Sequence, residues 1–176
     1  MPALKPRQPV PTLNVDTLAG ESWKLSEQQP EQFTLVNFYR GLHCPKCKLA
    51  LAELNRKTKD FNDIGVGVIA VSCDDKARAL RTQQEWSLDN LPIGYGLGID
   101  KARTWGLYIS SGIGTSSLGV EEPALFCEPG LFLVRADNTL YFAAVQTMPF
   151  ARPHYADVLQ AVQFVIEKDY PARGEQ

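Results

Sequence analysis

Four cysteines are the residues of this chain best suited to chemistry, and two of them, Cys44 and Cys47, are separated only by Pro45 and Lys46. The reactive form of a thiol is the thiolate, so the question is what stabilises that charge. The pair follows an apolar run at 33–39 (FTLVNFY) and opens a segment of helical periodicity. A sulfur placed there faces unpaired backbone N–H groups and the positive end of the helix dipole. Pro45 suits the first helical position, where its missing N–H costs nothing. Lys46 adds positive charge beside either sulfur, and His43 does the same when protonated. The two-residue gap lets one thiol reach the other, so a mixed disulfide on the first cysteine is resolved by the second.

The same spacing is half of a zinc site. Zinc ordinarily takes two such pairs, or one pair with a spaced pair of histidines. Here Cys73 and Cys127 stand singly and the only other histidine is His154. A CxxC that follows a strand in a βαβ pattern favours redox chemistry, so no metal and no cofactor is expected. Cys73 and Cys127 read first as small buried hydrophobes, with an additional redox role as the alternative.

The elements that must position these thiols alternate along the chain. Residues 10–25 read as short extended pieces around a turn at Ala19-Gly20. The run at 33–39 has the continuous apolar character of a strand buried on both faces. From Pro45 to Phe61, Leu51, Leu54, Thr58 and Phe61 recur at helical spacing. Residues 65–72 (GVGVIAVS) form a second buried strand, and Asp74-Asp75 caps a helix running to about Trp86. A short strand at 91–97 and a short helix at 100–107, capped by Asp100, follow. Residues 131–135 and 140–145 flank Asp137-Asn138 and read as an antiparallel hairpin. The last helix spans 154–168. The pattern predicts one α/β domain with a mixed central sheet, flanked by helices on both faces, with a core at about 9–168, an N-terminal extension and frayed ends.

Several features bear on function more weakly. Asn37, inside the first buried strand, either tunes the second thiol or satisfies a backbone group. Trp105 and Tyr108 read as filling the core or a groove. The glycine-rich segments at 95–97 and 110–119 lack the lysine and the following helix of a phosphate loop. Residues 109–127 read as an insertion loop near the site.

The composition narrows the rest. With 176 residues, 44% of them apolar and 22% charged, the chain has the make-up of a globular protein with a sizeable core. A formal net charge of −2 supplies no basic surplus for nucleic acid or anionic lipid. Its apolar runs are too short to cross a bilayer. Residues 1–10 are proline-rich and no apolar stretch follows, so no secretory signal is expected and a cytoplasmic location is. Thiols in such a setting are ordinarily reduced and catalytic rather than structural.

The residues also carry a resemblance. Phe38-Tyr39-Arg40-Gly41 followed by Cys44-Pro45-Lys46-Cys47 resembles the "FYRG…CPxC" signature of the peroxiredoxin-like branch of the alkyl hydroperoxide reductase C/thiol-specific antioxidant family. Pro11-Thr12-Leu13 through Gly20, Leu25 and Ser26 is similar to that family's opening stretch. Val71-Ser72 with Asp74 resembles its strand end after the first helix, and 129–138 resembles its "P-x-x-F-x-I-D-x-D-G" stretch. The resemblance covers about 9–168 and implies a thioredoxin-like fold. It also implies a cis-proline at Pro129, lining a substrate groove beside the redox pair.

Two alignments stay open. Against thioredoxin-type enzymes, Cys44 attacks and Cys47 resolves. Against peroxiredoxins proper, Cys47 holds the peroxidatic position, Arg40 stands where the family has a proline, and Cys44 stands where it has Thr or Ser. The family's second arginine then falls near Pro129 or Gly130 and is missing. The resemblance further implies that Arg40, with His43 and Lys46, holds the thiolate pKa down. It places Cys73 and Cys127 toward the sheet edge that carries the redox pair, so that all four cysteines cluster. The function expected is thiol–disulfide exchange on a disulfide substrate, with electrons from an external reductant of the thioredoxin or glutathione type. A thiol peroxidase acting on hydroperoxides, and a metal-holding or redox-sensing domain, are the alternatives. Edge-to-edge homodimers are common among relatives.

Overall fold

The structure is a computed structural model that describes residues 4–176. Residues 1–3, where the reading of the N-terminus as free of a signal begins, lie outside the described residues. The strands are β1 (Asn14–Thr17), β2 (Ser22–Lys24), β3 (Phe33–Phe38), β4 (Val66–Val71), β5 (Ile93–Tyr95), β6 (Ile109–Ser111), β7 (Leu125–Cys127), β8 (Gly130–Arg135) and β9 (Leu140–Val145). The helices are α1 (Pro45–Asp63), α2 (Lys76–Glu85), α3 (Ile99–Thr104) and α4 (Tyr155–Lys168).

Seven strands form one mixed sheet in the order β2-β1-β5-β4-β3-β8-β9. β3 lies near its centre, parallel to β4 and antiparallel to β8. Every residue of β3 is buried, which is why its sequence is apolar without alternation. Its side chains nonetheless divide between the faces. Leu35 packs with Leu51, Leu54 and Val162 of α1 and α4. Val36 and Phe38 pack with Ala102 of α3 and with Trp105. Helices therefore cover both faces of a mixed α/β sheet. In α1 the buried residues are Cys47, Leu51, Leu54, Thr58 and Phe61, so Cys47 begins the same apolar stripe that anchors the helix.

Some local expectations change. Asp100 lies in the first turn of α3 and Gly98 occupies the cap, because the backbone turns helical at Ile99. Residues 109–127 are not a plain loop: β6 and β7 pair antiparallel with Ile109 opposite Cys127. The N-terminal side is not frayed over 7–10. Arg7 and Val10 donate backbone bonds to Leu140 and Asn138, and Leu140 donates back to Gln8. These bonds tie the N-terminal segment to the β8–β9 turn and the first residue of β9. No helix among the described residues is long and apolar enough to cross a membrane.

Candidate active site

The site is built where β3 hands the chain to α1. Tyr39 continues the strand by donating its N–H to Val71 O at 3.0 Å. Gly41 then reverses the chain at φ 135°, a conformation that side-chain-bearing residues rarely adopt. The Leu42 N–H donates to Asp74 Oδ2 at 2.7 Å, so the end of β4 holds the loop. Arg78 of α2 in turn donates to Asp74 Oδ1 at 2.8 Å. Helix α1 starts at Pro45 with Cys44 as its cap.

That cap is a sulfur. Cys44 Sγ accepts the backbone N–H of Cys47 at 3.2 Å, and Arg40 Nη1 approaches it at 4.0 Å. Hydrogen bonding from the Cys47 thiol, the Cys47 backbone N–H and the charge of Arg40 together outweigh burial, and lower the Cys44 pKa to about 6. Cys47 moves the opposite way. Burial first, and then its neighbour Cys44, push its thiol well above the ordinary range. One proton is thus held on Cys47 while Cys44 carries the charge. Both cysteines are fully buried, so a substrate reaches Cys44 only after covering side chains move.

Arg40 is held by the β6–β7 arm. It pairs with Glu128 (Nε to Oε2, 3.3 Å) and Glu122 (3.9 Å), and its guanidinium lies over the Phe126 ring at 4.7 Å. Ser110 donates to the other oxygen of Glu128 at 2.6 Å. The segment read as an insertion loop is therefore what aims the cation at the sulfur.

His43 does not serve as a charged neighbour. It is fully buried, packs on Phe126 with centroids 4.5 Å apart, and neither ring nitrogen has a hydrogen-bond partner. Burial, followed by the positive charge of Arg40, lowers its pKa to about 4, which leaves it neutral near pH 7. This corrects the expectation of a protonated histidine. Lys46 lies exposed on the first turn of α1, lining a groove with Leu49, Ala50 and Glu53. The cation facing Cys44 is Arg40.

Pro129 also departs from expectation. Its peptide bond is trans. Its carbonyl already accepts the Gln146 N–H at 3.0 Å, so this chain's own segment occupies the place foreseen for an extended substrate. That segment, 146–154, runs from β9 to α4 and delivers a residue that sequence reasoning missed. Arg152 Nη2 stands 3.5 Å from Cys47 Sγ, and Arg152 Nε donates to Pro149 O at 3.1 Å. An arginine from a different stretch of chain thus stands beside Cys47, the sequence having none at Pro129 or Gly130. Its charge opposes, without cancelling, the upward push on Cys47. No periodicity or spacing in the sequence marks Arg152. Below it, Tyr155 donates its hydroxyl to Asn37 Oδ1 at 2.6 Å, which gives Asn37 a structural partner.

Cys73 and Cys127 come together as a second pair, packed in one cluster with Phe38 and Trp105, and each thiol shifts the pKa of the other. All four thiols are free. Among the described residues no group of three or more His, Cys, Asp or Glu side chains is arranged to hold a metal ion. A cavity lies at the opposite end of β3, lined by Thr17, Trp23, Thr34 and Asn62, with no cysteine or histidine in its wall.

A central parallel pair of strands, β3 and β4, joined through α1, whose cap is the first thiol of a CxxC, defines a thioredoxin-like fold. The chain belongs to the AhpC/TSA family, whose profile matches residues 6–143. A 1-Cys peroxiredoxin from Medicago truncatula is 32% identical over 89 residues, which are 51% of this chain and 38% of that protein's length. Among solved structures, the peroxidoxin BcpB from Mycobacterium tuberculosis superposes with a TM-score of 0.70 at 16% identity, covering 92% of this chain and 98% of that one. A peroxiredoxin-like protein from Aquifex aeolicus gives 0.72 at 17% identity, covering 94% and 90%. At such identities the likeness speaks for the fold.

Proposed function

We propose that this protein is a cytoplasmic thiol–disulfide oxidoreductase in which Cys44 attacks and Cys47 resolves. The observation that carries the reading is the asymmetry of the pair. Cys44 Sγ receives the Cys47 N–H at 3.2 Å and faces Arg40, while Cys47 keeps its proton. The Cys44 thiolate attacks one sulfur of a substrate disulfide. A mixed disulfide forms and the other substrate sulfur leaves as a thiolate, which takes up a proton. Cys47 then loses its proton, with the cation of Arg152 beside it to stabilise the charge, and attacks Cys44 Sγ. The second substrate thiolate leaves, and Cys44 and Cys47 are joined. An external reductant of the thioredoxin or glutathione type returns two electrons.

The position of Arg152 also favours a second reading. A guanidinium 3.5 Å from Cys47 Sγ would stabilise a Cys47 thiolate and the charge that develops as it attacks a peroxide oxygen. In that reading the O–O bond breaks, Cys47 becomes a sulfenic acid and the other peroxide oxygen leaves as water or an alcohol; Cys44 then condenses with the sulfenic acid, releasing water. Thiol loss from the reduced protein, followed with hydrogen peroxide and with oxidised glutathione in parallel, separates the two. Peroxide reacting about as slowly as with free cysteine, together with turnover of the disulfide, supports exchange. A peroxide rate constant of about 10⁴ M⁻¹s⁻¹ or more supports the peroxidase and overturns the first reading.

A further inference from the structure

Cys73 follows the end of β4 and Cys127 ends β7, 54 positions later in the chain. They meet because both flank the strand-to-helix connection of the first site. Cys127 Sγ donates to Tyr39 O at 3.6 Å, and the N–H of that same Tyr39 is bonded to Val71 O, two residues before Cys73. Both cysteines pack into the same apolar cluster with Phe38, Trp105 and Leu107. Cys127 is fully buried, whereas Cys73 keeps part of its surface open to solvent.

The two thiols are neighbours in that cluster, and they are unequal. Hydrogen bonding from Cys127 lowers the Cys73 thiol below the ordinary range, and the same contact together with burial raises Cys127. The division of charge matches the first pair: one sulfur that favours its charge, and one that keeps its proton.

We propose that Cys73 and Cys127 form a second redox-active dithiol, which closes to a disulfide by exchange with a small-molecule disulfide entering at Cys73. The Cys73 thiolate attacks one sulfur of that disulfide, forming a mixed disulfide and expelling the other half as a thiolate, which is protonated. Cys127 then gives up its proton and attacks Cys73 Sγ, expelling the second half. Two thiols of the chain become one disulfide, and one substrate disulfide becomes two thiols. Two electrons and two protons pass from the chain to the substrate. With both pairs reduced, the chain holds four exchangeable electrons. This does not depend on which thiol of the Cys44–Cys47 pair attacks.

The test uses the full-length protein, oxidised glutathione in excess, and disulfide mapping by mass spectrometry after acid quenching. The native chain should lose all four thiols and yield Cys44–Cys47 and Cys73–Cys127 peptides. A Cys44→Ser/Cys47→Ser variant should lose two thiols and still yield Cys73–Cys127, and oxidation should raise its urea midpoint, because a 54-residue loop is then closed in the unfolded chain. Cys73→Ser should remain at two thiols lost. Free Cys73 and Cys127 in the oxidised native chain would overturn the proposal. So would a glutathione adduct at Cys73 that Cys127 does not resolve, or a bridge from Cys127 to Cys47. The native-chain map decides the matter even where a variant fails to fold.

Discussion

At the scale of single residues, the site depends on one thiol gaining charge and its neighbour losing it. Cys44 draws on a thiol hydrogen bond, a backbone N–H and Arg40, and its pKa is lowered to about 6. Alkylation of Cys44 by iodoacetamide should therefore rise with pH to half its plateau at about pH 6 and be nearly flat above pH 8. Arg40→Met should move that midpoint upward by about one pH unit, the scale set by a single neighbouring charge. A midpoint left in place would assign the whole shift to the Cys47 thiol and backbone N–H. Arg152 acts on the other sulfur, so Arg152→Met should leave the alkylation midpoint of Cys44 within a few tenths of a unit. It should slow release of a mixed disulfide by about tenfold, read as transient accumulation of the adduct on Cys44. Cys44, Cys47 and Arg40 were legible in the sequence because a cap position and a run of neighbouring residues are local facts. Arg152 was not: it lies 105 positions from Cys47 in a segment with no periodicity, and only the tertiary fold brings it there. His43 misled for a related reason. Adjacency to a reactive cysteine says nothing about burial, and burial decides whether an imidazole carries charge.

At the scale of elements, the connection from β3 to α1 sets the geometry, and Gly41 is its pivot. A Cβ at that position would lie 2.6 Å from Asp74 Oδ2, in a backbone conformation at φ 135°. The Asp74 carboxylate cannot step aside without giving up the Leu42 N–H and Arg78. Gly41→Ala should therefore destabilise the protein by about 2–4 kcal/mol, combining backbone strain with loss of a buried charge-assisted bond, and urea unfolding measures it. A loss under about 0.5 kcal/mol would mean that the loop is held some other way. The elements themselves were read well where one rule applied. The 3.6-residue recurrence of Leu51, Leu54, Thr58 and Phe61 is the buried face of α1, and the unbroken apolar run became the doubly covered β3. The β6–β7 arm was missed because its strands are only three residues long and surround a glycine- and serine-rich tip, so neither period is present. The chemistry of Pro129 was carried over from resemblance alone, and the contact from Gln146 that occupies its carbonyl is set by tertiary packing.

At the scale of the whole molecule, the lowered Cys44 pKa links redox state to stability. A thiol whose pKa is lower in the folded than in the unfolded chain adds stability above the unfolded value, near 8.5, and loses it as pH falls through about 6. The reduced protein should thus gain stability relative to the Cys44–Cys47 disulfide form between pH 6 and pH 8, by on the order of 1 kcal/mol at pH 7. The Cys73→Ser background isolates this by removing the other lowered thiol, and thermal unfolding of both forms across that range measures it. A stability gap that does not change with pH would mean that the thiolate is no better held in the fold than in the open chain. The mixed sheet and both helical layers followed from alternation of strands and helices, while the sheet order and the bonds that tie 7–10 to the β8–β9 turn and Leu140 link parts of the chain distant in sequence. The most direct test of the account is to trap the first covalent intermediate. Reduced Cys47→Ser and Cys44→Ser proteins are each mixed with oxidised glutathione and the adducts are mapped. The account predicts a stable, stoichiometric adduct on Cys44 in Cys47→Ser, formed at the rate at which the native protein loses its first thiol, and negligible reaction at Cys47 in Cys44→Ser. Rapid adduct formation at Cys47, with Cys44 inert in the companion variant, would contradict it and make Cys47 the attacking thiol.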